Sequence, residues 1–266
     1  LLIAGAGKIA GSLDKGFILA EIILPAVSFF FVYLLGFEVL GSRLAAILLA
    51  VIFLFFPRFA LFPAANSLSW GSELQLYFAR FEYPMVTFPF FAAALYLLAR
   101  VLRRNEKWMY LVGGVVVGSL FYTYLYDWIY IFTGLFILAA FLLITGDRKG
   151  VIKILKIAAV AGIVSIPYWL NFFALKALTS FSDLTLRIGA EFFHRFRFDI
   201  VWPSYFRAIA LAGLVWLVNR KKRPKMTAYI AAFVLPILFL LNIQVLTGFV
   251  PHPDHWHRTT FLMLAM

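Results

Sequence analysis

The chain has no cysteine among its 266 residues, which excludes disulfides, thiolate catalysis and iron–sulfur ligation and says little about compartment. Charge is also scarce: Asp, Glu, Lys and Arg make up 14% of the sequence, and only four residues are histidine. Acids are the rarer sign, 12 against 24 Lys and Arg, so the formal net charge is +12. Leu1–Gly16 offers neither a basic leader nor a small-residue cleavage site, so no signal peptide is recognised there. What the chain does have is oil. Hydrophobic residues are 64% of it, and the mean hydropathy is +0.94. A soluble domain of this size could not cover so much apolar surface, whereas a bilayer requires it. The basic excess does not point to nucleic acid, because it falls mostly in short connections where membrane orientation explains it.

Spanning about 30 Å of hydrocarbon takes about 20 apolar residues. Runs approaching that length are Phe17–Gly36, Ser42–Phe56, Pro84–Val101, Trp108–Tyr126, Trp128–Thr145, Ile152–Leu175, Tyr205–Asn219 and Thr227–Gly248. A ninth begins near Thr260. The expected fold is therefore an all-α, polytopic transmembrane helix bundle of about eight complete spans, forming a single transmembrane domain over residues 1–266. The chain starts at Leu1 rather than Met and stops at Met266 inside an apolar run, so a piece of a longer polytopic protein is expected.

Sidedness follows from the connections. Arg103–Lys107, Asp147–Lys156 and Arg220–Lys225 are rich in Lys and Arg, which places them on the cytoplasmic side. Residues 57–83, the Tyr126-Asp127-Trp128 turn, 176–204 and 249–258 then lie outside, and they carry a mixture of Asp, Glu, His, Arg, Tyr and Trp. Any chemistry should face away from the cytoplasm. Within 184–197, Leu184, Ile188, Phe192 and Phe196 recur every four residues beside Arg187, Glu191 and Arg195. That spacing predicts a helix in the interface or one packed over the bundle mouth.

Ionisable groups near spans are expensive and so are the first functional candidates. Asp127, at the tip of a tight hairpin, could act as a base, bind a cation or orient a headgroup; it could equally cap the next helix within an aromatic belt. Arg80 could grip a phosphate with two N–H groups, with Glu82 fixing it or serving as a second acid; a plain salt bridge is the other account. Arg58 and Glu73 share that loop. His252, His255 and His257 with Asp254 and Arg258 form the densest polar cluster. One short loop would supply every ligand and no second histidine box exists, so no metal site is assigned to it. The cluster suits a phosphate or pyrophosphate, or simply a headgroup-facing loop. Glu21, inside the first span, calls for a partner from a neighbouring helix. Asn242 and Gln244 could face the same cavity, and Pro25, Pro167 and Pro236 are expected to kink their helices.

The order of these features resembles the GT-C class of integral-membrane glycosyltransferases. The resemblance rests on Gly41-Ser42-Arg43-Leu44-Ala45-Ala46 with Phe55-Phe56-Pro57, and on Arg80-Phe81-Glu82-Tyr83-Pro84 with Thr87-Phe88-Pro89-Phe90-Phe91. It rests further on Gly113-Gly114 with Gly118 through Trp128, and on Asn242 through Gly248 leading into Pro251-His252-Pro253-Asp254-His255. These are mostly aromatic motifs, spread over nearly the whole chain. Such enzymes move a sugar from a polyprenyl-phosphate donor to an acceptor outside the cytoplasm. The resemblance thus implies a multi-pass protein of a bacterial or archaeal plasma membrane. Its partners would be the lipid bilayer and a polyprenyl-phosphate sugar, with no nucleic acid. The family's catalytic carboxylate usually follows the first span, and only Asp14 stands near Leu1–Gly16, so the main base is expected upstream of Leu1. Arg58, Arg80, Arg195, His252, His255, His257 and Arg258 are then phosphate or substrate contacts, and Asp127 and Glu82 acceptor or metal contacts. Mg²⁺ or Mn²⁺ is compatible with this but not indicated. A transporter or lipid flippase, which would carry ionisable groups at mid-depth and repeated halves, and a polysaccharide polymerase or ligase are the competing functions.

Overall fold

The structure, a computed structural model, describes residues 2–55, 86–104, 106–181, 183, 191–192, 194–196, 198–219 and 223–250. It is a helical protein in two compact units, Leu1–Arg100 and Val101–Leu264.

In the first unit, α1 (Leu2–Ala10) packs on α2 (Leu13–Leu40), and α2 packs on α3 (Arg43–Phe55). Ser12 caps α2 by accepting the Lys15 amide at 3.3 Å, satisfying an N–H that the first helical turn leaves free. Gly41 ends the helix at φ 73°, a left-handed conformation costly to any residue with a Cβ. Gly36 lets α3 approach, since a Cβ there would sit 3.2 Å from the Ala46 Cα. The last helix of this unit, α4 (Phe88–Arg103), is buried on nearly every side between Phe88 and Ala99, as expected of a helix apolar all round.

The second unit is built from α5 (Trp108–Ser119), a 3₁₀ turn (Leu120–Tyr122), α6 (Leu125–Ile144), α7 (Arg148–Lys176) and α8 (Phe198–Asn219). Three short helices follow: α9 (Pro224–Val234), α10 (Pro236–Leu240) and α11 (Gln244–Thr247). Residues 226–234 of α9 are all buried, so α9 is the unit's axis. On α6, Asp127, Tyr130, Ile131 and Gly134 are buried, a spacing of three to four that puts them on one face. That face meets α9, where the Tyr130 hydroxyl donates to the Phe233 carbonyl and a Cβ on Gly134 would strike the Phe233 ring.

Two-residue strands, β1 (Glu191–Phe192) and β2 (Phe249–Val250), pair antiparallel with Glu191 opposite Val250 and Phe192 opposite Phe249. At 191–192 this corrects the helix expected over 184–197. There the backbone is extended, because the backbone of 249–250 offers it a ladder. Leu184 and Ile188 lie outside the described residues.

Among the described residues, three helices are long and apolar enough to cross a membrane: Leu13–Leu40, Leu125–Ile144 and Arg148–Lys176. At about 1.5 Å per residue, even the 20 residues of α6 reach about 30 Å. Only 22% of the apolar window of α2 and 33% of that of α7 is buried. Ile18, Ile22 and Phe30 of α2, and Ile152, Leu155, Ile163 and Leu170 of α7, point outward. Stripes this large and apolar are stable facing lipid, not water. The eighth expected span, 227–248, is not one helix. Pro236 lacks the amide that would continue α9, and the chain restarts as α10 and α11.

The three basic connections meet at one end of the second unit. Lys153 Nζ donates to the carbonyls of Val101 (3.1 Å) and Arg104 (3.0 Å), and Lys225 Nζ lies 2.6 Å from Asp147 Oδ2. Asp147 also caps α7 by accepting the Gly150 amide at 3.0 Å. The Lys225 ammonium, more than any other group, holds the Asp147 carboxyl below its ordinary range. A carboxyl depressed in the folded state stabilises above its unfolded value, near 3.9, and loses that contribution as pH falls through the lower folded value. With Asp147 21% and Lys225 48% exposed, water screens the pair to within about 1 kcal/mol, and the cap adds about 1 kcal/mol. Asp147→Asn, which can still cap, should therefore cost less at pH 7 than Asp147→Ala. It should also flatten the fall of melting temperature below about pH 4, read by thermal unfolding in detergent.

Candidate functional site

The opposite end of the second unit holds its buried polar chemistry. Gly118 ends the contact of α5 with α7, the 3₁₀ turn reverses the chain, and Tyr124, in extended conformation, begins α6. The Tyr122 hydroxyl donates to the Val164 carbonyl at 2.8 Å and ties this tip to α7. Phe121 stacks on Trp128 with centroids 4.4 Å apart, and Tyr168 and Trp169 of α7 meet both edge-on. These four rings form one packed cluster at the tip.

Asp127 stands on the other face of α6, toward α9 and α10. It is not the helix cap, which is Tyr124; it lies in the first turn and is 2% exposed. Its carboxylate gains from the positive end of the helix dipole. Yet its Oδ2 is buried and has no hydrogen-bond partner among the described residues. Leaving such an atom unmatched costs about 1–3 kcal/mol, more when charged. A protein keeps that cost where a ligand, a proton or a movement supplies what is missing.

Beyond α10 the chain turns through Asn242 and Gln244, which are 6% and 1% exposed. Asn242 Nδ2 donates to the Tyr205 hydroxyl at 2.7 Å. Gln244 Nε2 donates to Asn242 Oδ1 at 2.8 Å and to the Arg195 carbonyl at 3.3 Å. His194 Nδ1 lies 3.2 Å from the Val245 carbonyl, an acceptor only, so that nitrogen carries the proton. Gly248, at φ 73°, turns the chain into β2, and its missing Cβ is the space the His194 ring fills. His194, Arg195 and Phe196 are exposed.

Asp127 and Arg195 are thus at one end of the unit, as expected, and Asn242 and Gln244 share it. Arg58, Glu73, Arg80, Glu82, His252, Asp254, His255, His257 and Arg258 lie outside the described residues. Among the described residues no group of three His, Asp or Glu is placed to hold a metal ion. Glu21 is exposed on α2 rather than turned inward. Among the described residues of the first unit the buried acid is Glu38, 5% exposed and 4.0 Å from Arg100 Nη1, which donates to the Tyr96 hydroxyl at 2.5 Å. Sequence reading did not single out this triad, because Glu38 and Arg100 stand at the ends of apolar runs beside connections; Tyr205 carried no signal, since its partner Asn242 is 37 residues away.

No family model, curated protein or solved structure matches this chain.

Proposed function

We propose that this chain is the membrane body of a multi-pass glycosyltransferase of the GT-C class. Its substrates would be a sugar on a polyprenyl phosphate and an acceptor hydroxyl at the non-cytoplasmic face of the plasma membrane. The observation that carries this reading is the separation of chemistry along the second unit. Lys153, Lys225, Arg104 and Asp147 gather at one end; buried Asp127, the Asn242–Gln244 pair and exposed Arg195 gather at the other. Charges at the ends, rather than at mid-depth, suit a lipid-linked substrate whose headgroup rides at the surface and favour transfer over transport.

In the transfer the acceptor oxygen bonds to the anomeric carbon and the bond from that carbon to the phosphate oxygen breaks. The electron pair leaves with the polyprenyl phosphate, and the acceptor's proton passes to a carboxylate. Arg195 meets the negative charge growing on the phosphate. Asp127 accepts a hydroxyl hydrogen from the sugar or the acceptor.

The complete protein in proteoliposomes should release polyprenyl phosphate from a donor labelled in the sugar. Movement of intact donor without cleavage would make it a transporter instead. Residues 1–266 contain no cysteine, so with any cysteine elsewhere in the protein replaced, single reporters decide sidedness. Phe196→Cys should react with an impermeant maleimide from outside and Lys149→Cys only after the membrane is opened. The reverse pattern would put Arg195 on the wrong side for this chemistry.

A further inference from the structure

The segment carrying Arg195 is fastened at four points. Glu191 and Phe192 pair with Val250 and Phe249. The His194 imidazole is tied to the Val245 carbonyl and seated over Gly248. Phe196 lies against Tyr205, ring centroids 6.4 Å apart. The fourth fastening is different in kind, because it is buried: the Arg195 carbonyl accepts from Gln244, whose amide is itself fixed by Asn242 and, through it, by Tyr205 on α8. Two amide side chains removed from water need a return on their desolvation. Packing alone does not supply it, since leucine fills the same space without a polar atom to satisfy.

We propose that Gln244, backed by Asn242, is a positioning residue that sets Arg195 to receive the phosphate of a polyprenyl-linked substrate; this rests on the glycosyltransferase reading above. Both hydrogens of the Gln244 amide are committed, one to Asn242 and one to Arg195. The side chain therefore fixes the height of the Arg195 backbone relative to α11. Residues 194 and 196 are fastened by their side chains, so the Arg195 guanidinium is the exposed group left to reach outward. A planar guanidinium binds a phosphate through two parallel N–H groups, which rewards a fixed origin for the side chain.

The test has two arms, both on the complete protein in lipid nanodiscs. In the first, Glu191→Cys with Val250→Cys, on a background with any cysteine beyond residues 1–266 replaced, puts cysteines at opposed register positions. They should cross-link readily under mild oxidation, and Gln244→Leu should slow this by about fivefold or more by loosening the segment. The second measures Kd for polyprenyl phosphate. Arg195→Ala should weaken it about tenfold or more, Gln244→Leu by a smaller factor, and the double variant no further than Arg195→Ala. Cross-linking indifferent to Gln244→Leu, or losses that multiply in the double variant, would overturn the positioning role while leaving the enzyme reading intact. A Glu191→Cys/Val250→Cys protein that cross-links as expected yet, like the wild type, does not bind polyprenyl phosphate would overturn the enzyme reading and the proposal with it.

Discussion

Asp127→Asn should lower sugar transfer by about 10- to 10²-fold, the range of a lost hydrogen bond to a charged group, while leaving the folded protein as stable or more so. The two halves of this expectation come from the same atom. Oδ2 of Asp127 is buried at the N-terminal end of α6 with no partner among the described residues, so the carboxylate adds nothing to stability that an amide of the same shape would lose. If Asp127 merely completes the helix start, the pattern inverts: the asparagine protein melts lower and transfers sugar at nearly the wild-type rate. A full-length Asp127→Asn protein within twofold of wild type in polyprenyl phosphate release would remove Asp127 from the site. Asp127→Ala is the weaker test, because it also opens a cavity beside Tyr130 and Ile131, both 0% exposed.

How much of this could be read from the residues depends on how local the cause is. Helices α2, α6 and α7 were legible because each is a long apolar run with a stop beside it: Gly41 after α2, and Gly146-Asp147 between α6 and α7. The common end of the basic connections was legible too, since Lys and Arg sort by side, and Lys153 and Lys225 make the contacts that gather them there. The break at Pro236 was read only as a kink, because a proline in a helical pattern does not say whether the helix resumes in line. The 191–196 segment was misread for a clear reason. Its every-fourth-residue aromatics fit a helix, and the competing partner, Phe249–Val250, lies more than fifty residues on. Asn242 and Gln244 stood out as polar residues in an apolar run, but their partners, Tyr205 and Arg195, are set by tertiary contact alone. The buried pair Glu38–Arg100 was hidden by its position next to connections.

Gly118→Leu should be the most damaging substitution to the fold, and its effect should reach Asp127. Gly114 and Gly118 are one helical turn apart on α5 and form the surface on which α7 lies. A Cβ on Gly118 would stand 2.6 Å from the Val164 Cβ and 3.0 Å from the Ala161 carbonyl; one on Gly114 would stand 2.7 Å from Val160 Cγ1 and 3.0 Å from the Ile157 carbonyl. The carbonyls are backbone and cannot rotate away, so α5 and α7 must separate. Small residues four apart are how membrane helices come this close, where no water is present to drive apolar faces together. Overpacking costs about 1–3 kcal/mol, so Gly118→Ala should fall in that range and Gly118→Leu at or above its top. Val164→Ala removes the Cγ1 contact at 2.8 Å but keeps the Cβ at 2.6 Å and the Ala161 carbonyl at 3.0 Å, so it should rescue Gly118→Ala little. Gly162→Ala, on the same α7 but with nothing within 4 Å of its Cβ, should leave stability unchanged or slightly raised. Separation also pulls on the Tyr122–Val164 bond that holds the hairpin tip, so the Gly118 variants should lose transfer faster than they lose melting temperature in detergent. Equal melting temperatures for Gly118→Ala and Gly162→Ala would mean that α5 and α7 do not meet at this face.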